Sequence, residues 1–173
     1  MQISKSLARR KDRLEDLAVK LCDKKGSLVP LQVDICNEEE ILTAFAWIKE
    51  NLGPINILVN SAGISLRQAT VTEGQTDVWE KILQVNVLGL CIATREAVRD
   101  MKSNNVDGHI IHINSILGHH VSKYPGMSIY PATKFAVTAL AETLRLELDN
   151  QKSKIKITVT QIVGKFVVNR KIR

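Results

Sequence analysis

Tyr130 and Lys134 stand four residues apart at the head of an apolar-periodic run, Phe135 to Leu148. In a helix, positions i and i+4 share one face, so a phenol and an ammonium meet there. A free tyrosine titrates at about 10, too high for proton transfer at neutral pH, and a fixed cation beside it favours the phenolate. Upstream, the run HIIHIN reads as a buried strand that delivers the hydroxyl of Ser115 at its C-terminal end. In open α/β sheets that end is where ligands bind. The ordinary alternative is an aromatic helix cap beside a solvated lysine. Tyr124 has Ser128 at its fourth position, so the pairing is not automatic in this chain.

The elements that must position these groups are legible in outline. Lys11 to Lys24 carries Leu14, Leu17, Ala18 and Leu21 at helical spacing, with Gly26 as a stop. Leu28 to Val33 is a short apolar strand ending at Asp34. Asn37 is placed to cap a helix with glutamates in its first turn and a stripe of Ile41, Leu42, Phe45 and Ile48, broken by Gly53-Pro54. Ile55 to Val59 is near-continuously apolar, as a strand covered on both faces should be. It runs into Asn60-Ser61-Ala62-Gly63, small residues that let a flat ligand approach the backbone. A polar loop over 64–75 leads to one long helical pattern from Thr76 to about Met101, whose apolar face Asn86 interrupts. A polar amide there is either satisfied by backbone or placed for a site. The strand His109 to Asn114, the helix after Tyr130 and a β-branched strand Ile155 to Val163 follow. Strands alternating with helices predict a parallel, doubly wound α/β sheet.

At 173 residues the chain is expected to form one domain, 1–173, large enough to bury a core. Aromatic residues make up only 4%, so aliphatic side chains must build the interior. The net charge is +6, without the zinc-finger, recognition-helix or aromatic-interleaved basic patterns of a nucleic-acid binder. Nucleic acid is therefore not an expected partner. Cys22, Cys36 and Cys91 are odd in number and widely spaced, which argues against a disulfide framework or a zinc site. No signal peptide and no long apolar run calls for a membrane, and the expected compartment is the cytoplasm.

Asp34 after a strand, NSAG at 60–63, Asn86, Ser115 and the Tyr130-x-x-x-Lys134 pair resemble the short-chain dehydrogenase/reductases in order and spacing. The stretches LARRKDRLEDLA, NVLGLCIATREA, GHIIHINSILGH and YPATKFAVTALAETLRLEL resemble the farnesol dehydrogenase-like branch of that family. The resemblance implies a Rossmann-like sheet and hydride transfer between a nicotinamide cofactor and a small alcohol or carbonyl, such as farnesol or a steroid-like compound. It implies that Tyr130 is the acid/base, that Lys134 lowers its pKa and binds the nicotinamide ribose, and that Ser115 holds the substrate oxygen. It further implies that Asn86 anchors a water linking Lys134 to solvent. Asp34 would sit by the adenine, and Asn60, Ala62 and Gly63 would line the cofactor. Arg9 and Arg10 match the end of the family's second strand, where basic residues favour the 2′-phosphate of NADP over NAD; a solvated helix approach is their other reading. The resemblance also implies a homodimer through the helices at 76–101 and 130–148.

Three departures accompany it. The nine glycines contain neither G-x-x-x-G-x-G nor G-x-G-x-x-G, so the turn that cradles a pyrophosphate is missing along with the family's first strand. NSAG stands where the family has NNAG. After Val163 the chain reads GKFVVNRKIR, and the family's C-terminal strand does not follow. Strand 28–33 is thus expected not to ladder with strand 55–59. The other reading these losses admit is an inactive remnant that associates with intact homologues.

Overall fold

The computed structural model describes residues 3–121, 123, 129–163 and 166–171. They fall into two compact units, residues 1–53 and 54–173.

The first unit is a right-sized βαβα segment: β1 (Ile3–Ala8), α1 (Lys11–Lys20), β2 (Ser27–Gln32) and α2 (Glu38–Leu52). β1 and β2 pair in parallel from Ile3 opposite Ser27 to Ala8 opposite Gln32. β1 ends just before Arg9, where the resemblance put the end of the family's second strand, although ISKSLA has too little apolar pattern to declare a strand by itself. The α2 start forms as its sequence requires. Asn37 accepts from the backbone N–H of Glu39 and Glu40, and Glu40 accepts from the Asn37 side chain at 3.0 Å and the Asp34 N–H at 2.7 Å. Gly53 ends the helix with φ +80°, a conformation that favours glycine. Leu14, Val33, Ile41, Phe45 and Ile48 are buried in this unit.

In the second unit β3 (Ile57–Asn60), β4 (His109–Ser115), β5 (Lys156–Val163) and β6 (Phe166–Lys171) form one sheet in that order. β3, β4 and β5 run parallel, and β6 returns antiparallel along β5. The family's C-terminal strand does not follow residue 163, as expected; β6 is instead an antiparallel return along the edge of β5. The long helix expected at 76–101 is α3 (Thr76–Leu83), a π turn over Gln84–Leu88 and α4 (Gly89–Ser103). α5 (Ile129–Asn150) is a single helix. Ile82, Ala97, Met101, Ile110, Val137 and Ala141 pack this unit's core, each at most 1% exposed.

β2 and β3 lie in different sheets, so strand 28–33 does not ladder with strand 55–59, as the missing strand implied. One expectation for β3 is not met. Ile57 and Val59 are 56% and 51% exposed, so the strand is covered on one face only. Among the described residues no helix is long and apolar enough to cross a membrane, and Cys22, Cys36 and Cys91 form no disulfide.

Candidate active site

The C-terminal end of β4 and the first turns of α5 bring three of the expected groups together. β4 buries alternate residues, Ile110, His112 and Asn114, and leaves Ser115 half-buried at its end. The Ser115 hydroxyl accepts from the Leu117 N–H at 3.2 Å, which starts a short 3-10 turn, and it hydrogen-bonds the phenol of Tyr130. The Lys134 ammonium lies 5.7 Å from the centroid of the Tyr130 ring and donates to the Ile113 carbonyl at 3.1 Å. Lys134 is only 6% exposed, and burial draws its pKa below the usual lysine value.

The phenol behaves differently from the expectation that Lys134 would lower it. Burial pushes Tyr130 above its ordinary 10, and the Ser115 hydrogen bond acts in the opposite direction without reversing it. The cation stands over the ring and spends a proton on a backbone carbonyl. Desolvation of the charged form is the larger effect here.

Asn86 sits within the π turn, a feature that often marks functional positions. Its side chain accepts from the Ile64 N–H at 2.8 Å and donates to the Ile64 carbonyl at 2.9 Å and to Thr133 Oγ1 at 3.0 Å. Thr133 in turn donates to the Tyr130 carbonyl at 2.7 Å. The amide ties the segment after β3 to the first turn of α5.

Asn60 is turned inward as well. Its Nδ2 donates to Thr94 Oγ1 at 2.9 Å and lies 3.1 Å from His112 Nδ1. An amide NH2 only donates, so Nδ1 of the neutral ring accepts and Nε2 carries the proton. Ala62 and Gly63 are exposed at the mouth of this end. A Cβ placed on Gly63 would meet Asn86 Oδ1 at 3.6 Å and Lys134 Nζ at 3.8 Å, so Gly63 borders the ammonium. In the first unit, Arg9 and Arg10 follow β1 with exposed side chains, and Asp34 accepts from the Cys36 N–H at 3.0 Å.

His112, Asn114, Thr133 and Thr138 were not singled out from the sequence. The one available signal was polarity in a buried strand: in HIIHIN, His112 and Asn114 fall on the face that Ile110 buries.

The profile of the short chain dehydrogenase family matches residues 2–168 of this chain. The chain belongs to the short-chain dehydrogenase family. It is 41% identical over 153 residues to farnesol dehydrogenase of Aedes aegypti, covering 88% of this chain and 62% of that protein. To human dehydrogenase/reductase SDR family member 11 it is 44% identical over 154 residues, covering 87% of this chain and 59% of that one. The chain thus spans about three fifths of the length of these relatives. Among solved structures, serine dehydrogenase from Escherichia coli is similar with a TM-score of 0.77 at 29% identity, over 91% of this chain and 69% of that one. A short-chain dehydrogenase/reductase from Burkholderia phymatum in complex with NAD shares the fold with a TM-score of 0.83 at 24% identity, over 91% of this chain and 55% of that one. A metagenomic short-chain oxidoreductase in complex with NADP does so at 0.81 and 19%, over 91% and 69%.

Proposed function

We propose that this chain carries the reactive centre of an oxidoreductase that moves a hydride between a nicotinamide cofactor and an alcohol or carbonyl, with NADP preferred to NAD. The observation that supports it is the Tyr130 phenol, hydrogen-bonded to Ser115 and facing the buried Lys134 ammonium. In this reading Tyr130 transfers the proton, Ser115 orients the substrate oxygen, and Lys134 holds positive charge beside both. Asn86 holds the loop after β3 against α5, and Gly63 in that loop borders the Lys134 ammonium.

A phenol held above its ordinary pKa is protonated at neutral pH, and that is the form that gives a proton to a carbonyl oxygen. The same shift makes it a weaker acid, so carbonyl reduction is assigned on the protonation state alone. The cofactor, when bound, supplies the hydride. The residues present fit the reactive end of a dinucleotide: a buried ammonium and exposed small residues at 62–63. With neither glycine pattern in the sequence, they offer no backbone cradle of that kind for the pyrophosphate. Arg9 and Arg10, exposed after β1, are the groups proposed for the 2′-phosphate, and Asp34 for the adenine side. We read the two units as parts of one domain, because the family match runs through both. The substrate class we propose, an apolar alcohol or carbonyl such as an isoprenoid, follows the named activity of the Aedes aegypti relative. A second copy of the chain is the proposed partner for the outer helix faces, where Leu88, Phe135 and Leu146 are exposed. The proposed compartment is the cytoplasm.

Fluorescence titration with NADPH and NADH tests the reading, followed by turnover on apolar aldehydes and ketones, farnesal included. Tighter binding of NADPH is expected, with the preference erased in Arg9→Ala/Arg10→Ala. Failure of both dinucleotides to bind would refute it and favour the non-enzymatic remnant.

A further inference from the structure

Three consecutive residues at the end of β4 each grip α5. The Ile113 carbonyl accepts from Lys134 Nζ at 3.1 Å. Asn114 Nδ2 donates to the Lys134 carbonyl at 3.2 Å and to Thr138 Oγ1 at 2.9 Å. Ser115 hydrogen-bonds the phenol of Tyr130. Their targets, Tyr130, Lys134 and Thr138, recur at every fourth position and so form one stripe of the helix.

The 3-10 turn after β4 closes the ring. Thr138 Oγ1 faces the Gly118 carbonyl at 3.1 Å and the Lys134 carbonyl at 3.2 Å. A Cβ on Gly118 would stand 2.7 Å from Asn114 Nδ2, 2.8 Å from the Lys134 carbonyl and 2.9 Å from Thr138 Oγ1. Only glycine lets the turn approach that closely. Asn114 is 2% exposed, and its Oδ1 has no hydrogen-bond partner. A buried amide with an orphaned acceptor is a costly way to fill space. What justifies Asn114 is its two donors, both directed at α5.

We propose that Asn114, Thr138 and Gly118 form a positioning node that fixes the Ser115 hydroxyl against the Tyr130 phenol. None of the three touches the reacting groups; they act by holding the strand end and the helix in register across the pair. The proposal deepens the reading of Tyr130 as the proton-transferring group and rests on it.

The test is the ionisation of Tyr130 itself, which needs neither cofactor nor turnover. The chain is labelled biosynthetically with difluorotyrosine, whose lower pKa brings the titration within the folded range, and followed by fluorine NMR. Tyr130→Phe identifies the Tyr130 signal. Ser115→Ala removes a hydrogen bond that favours the phenolate and is expected to raise the midpoint by about 0.5–1 unit. Thr138→Val and Asn114→Leu are expected to raise it in the same direction, while Thr138→Ser keeps the parent value. In the Ser115→Ala background Thr138→Val should add nothing, since both act through one contact. A folded Thr138→Val chain with the parent midpoint, beside a shifted Ser115→Ala, would overturn the node and leave the site reading intact. An unshifted Ser115→Ala would overturn both. If Thr138→Val does not fold, Gly118→Ala decides by the same measurement, because it adds a methyl and removes no polar group: a raised midpoint supports the node and an unchanged one rejects it.

Discussion

Burial holds the imidazole of His112 down at about 4, against an ordinary 6.5, and the charge of Lys134 adds to the effect. The unfolded chain binds a proton below 6.5 that the folded chain refuses until about 4. Between those values stability therefore rises with pH, and this contribution is lost as acid is added. The difference between pH 7 and pH 4.5 amounts to roughly 2 kcal/mol. Urea unfolding of the parent and His112→Asn at both pH values checks it: the parent should lose about that much more than the variant on acidification. Equal losses would mean that His112 is protonated in the fold. At the same scale, Tyr130→Phe deletes a single hydroxyl, and any turnover should fall by roughly 10²–10⁴-fold with the fold retained, as circular dichroism would verify. Tyr130, Lys134 and Ser115 were legible because their chemistry is local: a spacing of four and a strand end. Their environment was not. The partners of Asn60 and Asn86 lie far along the chain, His112 and Thr133 among them, and nothing in the residue types announces that burial outweighs the Ser115 hydrogen bond at the phenol.

Elements with a strong internal pattern formed as read: the capped α2, the apolar β4 and the long α5. The failures share a cause. β6 is not read as an element from the sequence, and it exists through the strand it pairs with, which a local reading does not see. The π turn at Gln84–Leu88 likewise hides inside a continuous helical pattern, betrayed only by Asn86. One contact illustrates how an element is set from afar. Asp100, on α4 and 8% exposed, accepts from the N–H of Ile55 at 2.7 Å just before β3. Asp100→Ala orphans that buried N–H and should cost about 1–3 kcal/mol, whereas Asp100→Asn keeps an acceptor and should cost less. Urea unfolding of the two variants measures the order, and equal losses would show that the carboxylate charge, not the acceptor, is what matters.

At the scale of the molecule, each unit has its own sheet, of two and four strands. Among the described residues the first unit has two strands and few buried side chains, and a lone pair of strands is marginal in water. Amide hydrogen exchange should therefore find β1 and β2 opening well before β4, which lies between two partners. The second unit poses a different problem. β3 is an edge strand, and Ile57 and Val59 project from one face of it, both more than half exposed. An exposed apolar edge is a template for pairing with another chain. Val59→Lys places a charge there at small cost to the fold, typically within about 0.5 kcal/mol at an exposed position. Sedimentation velocity across a concentration series should show the parent associating and Val59→Lys associating less. Leu146→Glu, on the exposed side of α5, is the matching change on the helix surface. If association weakens only in Leu146→Glu, the chains meet through helices and the β3 edge is not the contact. A parent that stays monomeric throughout would rule out both surfaces.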